Sequence, residues 1–252
     1  MITFSLQSGS NGNSIYVEAG GVRLLFDAGI SGRQAEGRMR VHKRDIRELD
    51  GVIISHDHND HVRCAGIYQR KFKMPIYMTR PTHGAINCDL GPLGDVRYFR
   101  SGRPLEFNGV TVHTIRTPHD AADGAAFVVE HEGRRLGILT DLGHPFRLLR
   151  ALLTTLDAVY LESNYDPDLL ADGPYPQPLQ ERIRGPHGHL SNQEAAELLR
   201  STGRRLRWAA LAHLSEQNND PDLAFDTHHR ILGRCFPLRL ASRYDVSEVM
   251  EV

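Results

Sequence analysis

Short apolar and alternating runs open the chain and predict β-strands separated by tight turns. We predict strands at residues 2–7, 14–18, 22–26 and 51–55. Gly20 and Gly21 fall between the second and third of these strands and are typical of a hairpin turn. A helix is expected from Val62 to Phe72, followed by a strand from Ile76 to Met78. Hairpins therefore give way to alternating strands and helices.

The same succession returns in the second half of the chain. The predicted strands there lie at residues 110–116, 125–131, 134–140, 157–161 and 207–212, with a last short strand near Leu238. Helices are predicted at residues 146–155, from a capping box at Ser191 onwards, and at residues 221–232. Hairpins followed by α/β units thus occur twice over, and the fold class is α/β.

Residues 166–189 interrupt this pattern. Pro, Gly and Arg dominate the segment around a short helical stretch. Connections of this length in a compact domain are usually functional or disordered, so we expect the segment to cover a functional cleft.

Composition places the chain among ordinary globular proteins. Its 252 residues include 30 Lys and Arg and 31 Asp and Glu. The resulting net charge of -1 excludes the class of strongly basic proteins that wrap nucleic acids. No apolar run reaches the roughly 18 residues of a membrane span, so we expect a cytoplasmic protein without membrane association. Three isolated cysteines, Cys64, Cys88 and Cys235, fit a reducing compartment. We expect one domain over residues 1–252.

Histidine is unusually frequent, with 14 residues, and points to a metal site. The densest cluster of histidines follows a predicted strand. Residues 56–61 read His-Asp-His-Asn-Asp-His, at the carboxyl end of a strand, where α/β sheets place their sites. His56 and His58 can point the same way towards one metal ion, while Asp60 and His61 are displaced enough to reach a second. Such crowding is costly unless a cation offsets it, so we expect a metal site here rather than a solvated loop.

Three more predicted strands run into a possible ligand. The segments that follow these strands contain His119, Asp141 and His213. Taken singly, a His or Asp after a strand is more often an ordinary loop residue. Taken with residues 56–61, the three side chains supply the missing ligands.

The ordered motifs resemble those of the metallo-β-lactamase fold superfamily of hydrolases over essentially the whole chain. The matching residues are His56-x-His58-x-Asp60-His61, His119, Asp141 and His213, with Asp27 in Leu24-Leu-Phe-Asp-Ala-Gly29. The resemblance implies a four-layer αβ/βα sandwich with a two-metal site in a cleft along the edge of its two sheets.

The same resemblance implies a role for each ligand. The first metal would be held by His56, His58 and His119, and the second by Asp60, His61 and His213. Asp141 would bridge both metals, and Asp27 would fix the orientation of a ligating imidazole.

A two-metal site of this kind has its own chemistry. Two ions about 3.5–4 Å apart share a water, lower its pKa towards neutrality and stabilise a developing oxyanion. The nucleophile would be a metal-bridging hydroxide, and Asp60 counts as catalytic as well as a ligand. No Ser-His-Asp or nucleophilic cysteine motif competes for this role. The histidine-rich set without thiolates favours zinc, with manganese or iron as alternatives.

Four further segments resemble the YycJ/WalJ-type subfamily of bacterial hydrolases, which is linked to 5′-to-3′ DNA exonuclease activity. They are Ser8-Gly-Ser-x-Gly-Asn-Ser14, Leu161-Glu-Ser-Asn-Tyr-Asp166, Gly188-His-Leu-Ser-Asn192 and His213-Leu-Ser-x-x-Asn-Asn219. This resemblance implies a dinuclear phosphodiesterase with a nucleic acid substrate, and it favours DNA.

Candidate substrate contacts come from two segments. Ser8, Asn11 and Asn13 lie in a stretch of small residues whose backbone N–H groups could approach a phosphate, although a flexible hairpin loop would show the same pattern. Arg182 and Arg184 in the long loop could clamp a nucleic-acid backbone.

His189 is the candidate for proton transfer outside the ligand set. It precedes a helix start capped by Ser191, a place that favours an anion. Its imidazole could reach a leaving oxygen or a nonbridging phosphate oxygen, which makes it a candidate catalytic residue.

Two other functions stay open. A thioester hydrolase resembling glyoxalase II would share the metal ligands. A noncatalytic metal-binding module would use the same fold for partner recognition.

Overall fold

The computed structural model describes residues 1–252, and its first half forms a mixed β-sheet of seven strands. The strands of this first sheet are β1 (Ile2–Gln7), β2 (Ser14–Ala19), β3 (Val22–Phe26), β4 (Gly51–Ile53), β5 (Ile76–Thr79), β6 (Val96–Phe99) and β14 (Met250–Glu251). They lie in the order β14-β1-β2-β3-β4-β5-β6, so the end of the chain returns to pair with its beginning.

The second half forms a second sheet of seven strands. They are β7 (Leu105–Phe107), β8 (Val110–Arg116), β9 (Ala125–His131), β10 (Arg134–Leu139), β11 (Ala158–Glu162), β12 (Trp208–Ala212) and β13 (Leu238–Leu240). Their order is β13-β12-β11-β10-β9-β8-β7.

Each sheet begins with antiparallel hairpins and continues with parallel strands. β1, β2 and β3 are antiparallel neighbours, and β3 to β6 are parallel. In the second sheet β7 to β10 are antiparallel and β10 to β13 are parallel. Gly20 and Gly21 have φ of 55° and 82°, the left-handed pair that a two-residue hairpin turn needs. The predicted repetition of hairpins and α/β units is therefore present in both halves.

Nine helices connect the strands. They are α1 (Gly32–Val41), α2 (Asn59–Val62), α3 (Ala65–Phe72), α4 (Arg80–Ala85), α5 (Arg147–Leu153), α6 (Pro167–Asp172), α7 (Gln177–Arg184), α8 (Asn192–Thr202) and α9 (Pro221–Leu232), with short 3-10 turns at Ile46–Glu48 and Gly203–Arg205. None of these helices has the length and apolar character that crossing a membrane requires.

Three apolar cores hold the layers together. The middle core, 24 buried residues, lies between the two sheets, where the rings of Phe26 and Phe127 are 5.1 Å apart. One outer core packs α1 and α3 on the first sheet through residues such as Met39 and Tyr68, and the other packs α5, α8 and α9 on the second. Helices, sheet, sheet and helices therefore form four layers, which confirms the αβ/βα sandwich.

Some elements differ from the sequence prediction. The helix expected at residues 62–72 begins later, as α3 at Ala65, and Val62 ends the separate helix α2. The strands β6, β7 and β14 and the helices α1 and α4 were not predicted. Helix α1 buries only Gly32, Ala35 and Met39, so its apolar stripe is too sparse to show a helical period. The segment 166–189 contains two helices, α6 and α7. Asp166 caps α6 by accepting from the N–H groups of Asp168 and Leu169.

Candidate metal centre

The predicted ligands follow strands whose carboxyl ends meet at one edge of the two sheets. Residues 56–61 follow β4, and Asp27 follows β3 in the same sheet. In the second sheet, His119, Asp141 and His213 follow β8, β10 and β12. Side chains that are as much as 157 residues apart in sequence, His56 and His213, therefore come together at this edge.

Three imidazoles form the first donor group. His56, His58 and His119 each offer a ring nitrogen, and the three nitrogens lie within 4.8 Å of one another. His58 Nδ1 is 3.3 Å from His119 Nε2. The other nitrogens are engaged elsewhere, since His56 Nδ1 lies 2.9 Å from Ser55 Oγ and His119 Nδ1 lies 2.9 Å from Gly188 O. The rings of His56 and His119 are thus each held by one nitrogen and offer the other.

One carboxylate and two imidazoles form the second donor group. Asp60 Oδ2 lies 3.3 Å from both His61 Nε2 and His213 Nε2. The two Nε2 atoms are also 3.3 Å apart. His61 and His213 are buried, so the group is open to solvent only on the side of Asp60.

Asp141 lies between the two groups. Its Oδ2 is 3.3 Å from His61 Nε2, and its Oδ1 is 3.6 Å from the Nε2 atoms of His119 and His213. Burial favours the neutral acid, but the surrounding imidazoles, led by His213 and His61, hold the pKa of Asp141 well below its ordinary value. The carboxylate is therefore ionised and faces both groups at once.

The donor set fits divalent cations. His56 Nε2 and Asp141 Oδ2 are buried and have no hydrogen-bond partner in the protein. Buried polar atoms are nearly always satisfied, and unpartnered ones in a ring of imidazoles and carboxylates are what a bound cation would satisfy. All donors are nitrogen or oxygen atoms, a set that suits zinc and also accepts manganese or iron.

Asp27 lies directly behind the second group. Its Oδ2 is 2.7 Å from His61 Nδ1, and it accepts hydrogen bonds from Ser55 through N at 2.8 Å and Oγ at 3.0 Å. The contact directs His61 Nε2 towards Asp60 and Asp141. This is the position that the sequence analysis expected for an orienting carboxylate.

Glu162, at the end of β11, was not assigned a role from the sequence. It is fully buried, and its Oε1 lies 2.6 Å from His189 Nδ1. Burial lowers the pKa of His189, but the Glu162 carboxylate and the more distant Asp141 raise it to about 8. The Glu162 Oε2 accepts from the N–H groups of Leu142 and Leu190 at 3.0 and 3.3 Å. Glu162 therefore joins the loop after β10 to the segment that contains His189.

The loop between β1 and β2 lies beside the donor groups, and its Ser10 lines the cavity described below. Ser8 and Asn13 are buried. Ser8 Oγ accepts from His213 N at 2.9 Å, and Asn13 Nδ2 lies 3.3 Å from Asp60 Oδ2. These two side chains support ligand residues. Asn11 is half-buried and lies outside the cavity wall.

An open cavity of about 370 Å³ gives access to the donor groups. Arg182, on α7, lines it and forms an ion pair with Asp120, which in turn lies 3.4 Å from His119 Nε2. Arg184 is exposed, bonds Gln180 on its own helix at 2.7 Å, and does not line the cavity. Helix α7 therefore forms one wall of the cleft, and Arg182 alone of the two arginines reaches it.

Two further histidines, His187 and His144, contact backbone carbonyl oxygens and belong to neither donor group. His187 Nδ1 contacts Pro118 O, and His144 Nδ1 lies 2.7 Å from Pro186 O. Both contacts join the segment before His189 to loops after strands of the second sheet.

Comparison with known proteins agrees with this geometry. A model of the beta-lactamase superfamily domain matches residues 22–213. The chain is 32% identical over 227 residues to the exodeoxyribonuclease WalJ of Streptococcus pneumoniae, a match that covers 88% of this chain and 84% of that protein. It is 31% identical over 222 residues to the exodeoxyribonuclease YycJ of Bacillus anthracis, covering 87% of this chain and 84% of that protein.

Solved structures show the same architecture. The metallo-beta-lactamase fold protein YhfI from Bacillus subtilis superposes with a TM-score of 0.77 at 17% identity, covering 100% of this chain and 98% of that one. At this identity the match shows the shared fold alone.

Removal of the shared carboxylate should disturb both donor groups. Asp141→Ala, and Asp141→Asn, which keeps the volume, should each lower bound Zn²⁺ at both positions, because two cations would face each other with less negative charge between them. Metal content after dialysis and calorimetric titration with Zn²⁺ measure this. The exposed Asp89→Ala is the control and should bind metal as the parent does. Full occupancy of two metals in both Asp141 variants would reject the bridging position.

Gly29 should matter to the site although it offers no ligand. A Cβ there would lie 1.7 Å from Asp60 O and 2.7 Å from Asn13 N, so Gly29→Ala must displace the loop that contains Asp60. We expect weaker metal binding and a loss of at least about 1 kcal/mol in the free energy of unfolding.

Gly37→Ala is the matched control for this change. Gly37 is exposed within α1 with nothing within 4 Å of its added Cβ, so alanine should stabilise the protein by about 0.5–1 kcal/mol. Denaturant unfolding and zinc titration of both variants give the comparison. Equal metal affinity in Gly29→Ala and the parent would contradict the proposed support of Asp60.

Proposed function

Because the chain belongs to the beta-lactamase superfamily and, within it, to the family of the WalJ and YycJ exodeoxyribonucleases, we propose that it is a dinuclear metal-dependent exonuclease acting on DNA. The observation that carries the proposal is the pair of donor groups that share one ionised carboxylate, Asp141, in the floor of an open cavity.

The proposal assigns the ligands as two sets with a common member. His56, His58 and His119 would hold one ion, Asp60, His61 and His213 the other, and Asp141 both. Bound there, divalent ions would polarise a phosphoryl oxygen and make water more acidic. Zinc suits the donors best.

The character of the cavity favours a phosphodiester over a thioester. Only three of its sixteen lining residues are hydrophobic, and these are Tyr175 from the segment before α7 with Leu179 and Ile183 on that helix. Acyl groups and their thioesters are bound by more apolar surface, whereas phosphates need cationic and polar groups. Arg182 offers such a group, and its ion pair with Asp120 holds it at the cavity wall.

His189 would protonate the leaving oxygen. Its Nδ1 is fixed against Glu162 at 2.6 Å, and the residue lines the cavity, so Nε2 is the nitrogen left to face a substrate. Its ring stacks on His213 at 5.3 Å, which places it beside the donor groups without making it one of the seven proposed ligands. A positioned imidazole of this kind transfers a proton to a departing group.

Hydrolysis of a panel of substrates tests the function. The purified protein, loaded with Zn²⁺ or with Mn²⁺, should degrade 5′-phosphorylated single- or double-stranded DNA faster than RNA and should leave S-lactoylglutathione intact. Gel analysis of labelled strands and a thiol assay measure the two reactions, with Asp141→Asn as the negative control. Thioester hydrolysis without nuclease activity would replace the proposal by the glyoxalase-like alternative, and activity on neither would favour a noncatalytic module.

His189→Ala should separate proton transfer from metal binding. We expect the variant to keep its metal content while kcat on DNA falls by roughly 10²–10⁴-fold, the range for a positioned acid or base. A p-nitrophenolate leaving group needs no proton, so the loss should be smaller on bis(p-nitrophenyl) phosphate.

His113→Ala is the control, because His113 lies on β8, 3.1 Å from Glu130, and does not line the cavity. It should retain parental rates on both substrates. If His189→Ala loses metal or degrades DNA at the parental rate, His189 is a ligand or a structural residue.

A further inference from the structure

A second cavity lies outside the metal centre and is rich in arginine. It has a volume of about 500 Å³ and lies where α4 meets the ends of β6 and β8. Its walls include Arg80 on α4, Arg100 after β6, Arg116 at the end of β8, Tyr98 and Asp123. We call it the arginine cavity. None of these residues belongs to the donor groups or lines the first cavity.

The charge in the arginine cavity is largely uncompensated. Arg80 and Arg100 are exposed and have no carboxylate within ion-pair distance. Arg116 has one partner, Asp123, at a long 3.8 Å, and 75% of its side chain is accessible to solvent. Three guanidinium groups therefore face one carboxylate on a protein whose net charge is only -1. Such a local excess attracts anions, and guanidinium groups pair with phosphates in a bidentate manner.

Tyr98 adds an aromatic surface to this charge. Tyr98 is 40% exposed. The guanidinium of Arg80 lies 4.1 Å from the ring centroid, and the Tyr98 hydroxyl lies 2.7 Å from His83 Nδ1. These two contacts hold the ring in place. A fixed, exposed ring among cations is the combination on which single-stranded nucleic acids stack their bases.

One loop, residues 117–124, separates the arginine cavity from the metal centre. It follows directly on Arg116 and contains His119 and Asp120 on the side of the metal centre and Asp123 on the other side. Two hydrogen bonds hold the loop in place. Thr117 N donates to Gly124 O at 3.0 Å and joins the two ends of the loop, and Ala122 N donates to Asp57 Oδ1 at 3.0 Å and joins the loop to residues 56–61. Arg116, which lines the arginine cavity, is only three residues before the proposed ligand His119. A DNA strand bound in this cavity would therefore lie beside the loop that contains the ligand.

We propose that the arginine cavity binds a single-stranded stretch of the polynucleotide substrate, with phosphates on Arg80, Arg100 and Arg116 and a base against Tyr98. The inference rests on the proposed nuclease function and adds to it a binding site remote from the bond that is cleaved. A free nucleotide offers the same phosphate chemistry but spans one position, whereas three guanidinium groups and a ring along one cavity suit several consecutive nucleotides.

The test measures binding and turnover separately. Anisotropy of fluorescent single-stranded DNA with hydrolysis-resistant phosphorothioate linkages, from 4 to 20 nucleotides long, gives affinity as a function of length and salt. Arg80→Ala/Arg100→Ala/Arg116→Ala is compared with the metal-loaded parent. We expect the parent to bind longer strands more tightly, and the triple variant to lose this dependence and about 2 units of salt slope, since each phosphate contact on a single strand contributes ~0.7.

Tyr98→Ala examines the stacking contact by itself. Affinity for the long strand should fall roughly 5- to 160-fold, the range for one stacked base, with the salt slope unchanged. Parental affinity in this variant would overturn the base contact.

The control removes three arginines elsewhere. Arg204, Arg207 and Arg234 are exposed, form no ion pair and line neither cavity, so their triple alanine variant has the same net charge as the test variant. It should bind like the parent. If it loses as much affinity as the test variant, the effect is one of overall charge and the site is rejected. Mononucleotide competing as well as the long strand would also reject it.

Hydrolysis of bis(p-nitrophenyl) phosphate keeps the two proposals apart. The test variant should hydrolyse this small diester at the parental rate, with parental metal content, and should show a raised KM on long DNA only. A parent that binds long strands through the arginines yet hydrolyses no diester would refute the nuclease function and leave the binding site standing. A nuclease whose KM is independent of strand length would refute the site alone.

Discussion

The site depends on the buried carboxylate of Asp141, because this group contacts histidines from both sheets. It reaches His61 from the first sheet at 3.3 Å and His119 and His213 from the second at 3.6 Å. Burial lowers the pKa of His61, but Asp141, Asp60 and Asp27 raise it well above its ordinary value. Burial and the neighbouring His61 keep the pKa of His56 well below, so this ring stays neutral, the form in which a nitrogen binds a metal.

Positioning these groups requires an unusual backbone. Asp27, Asp141 and His213 follow β3, β10 and β12, and all three have positive φ, at 70°, 55° and 56°. Such values are uncommon for residues other than glycine and persist only where the surroundings hold them. Here Ser55 bonds Asp27 and Ser8 bonds the backbone of His213. The buried polar side chains around the site therefore stabilise strained strand ends as well as orienting imidazoles.

Sequence could predict which side chains meet at this edge of the sheets because each follows closely on a buried strand, and both the strand pattern and the residues after it are visible along the chain. The four-layer fold and the family followed from the order of these motifs and are confirmed. Glu162 was missed because its partner His189 is 27 residues away and the contact exists only in the folded chain. Ser8 and Asn13 were singled out because their segment of small residues could bring backbone N–H groups close to a phosphate. Their side-chain contacts with His213 and Asp60 exist only in the folded chain and could not be read from the sequence.

The arginine cavity was invisible in the sequence for a related reason. Its walls come from α4, β6 and β8. Strand β6 was not predicted, because only its first and last residues face the core and Arg97 and Tyr98 are exposed. A near-zero net charge says nothing about how charge is distributed once such elements pack. In the folded chain, most of the carboxylates and imidazoles lie on one side of the loop 117–124, where Arg182 is paired with Asp120, and three guanidinium groups with the single carboxylate of Asp123 lie on the other. A polyanion is bound best where cationic groups have no carboxylate near them, whereas the metal centre needs its carboxylates. The loop 117–124 separates the arginine cavity from the metal centre. Cationic groups for a polyanion and carboxylates for metal ions can therefore lie within a few residues of each other along the chain.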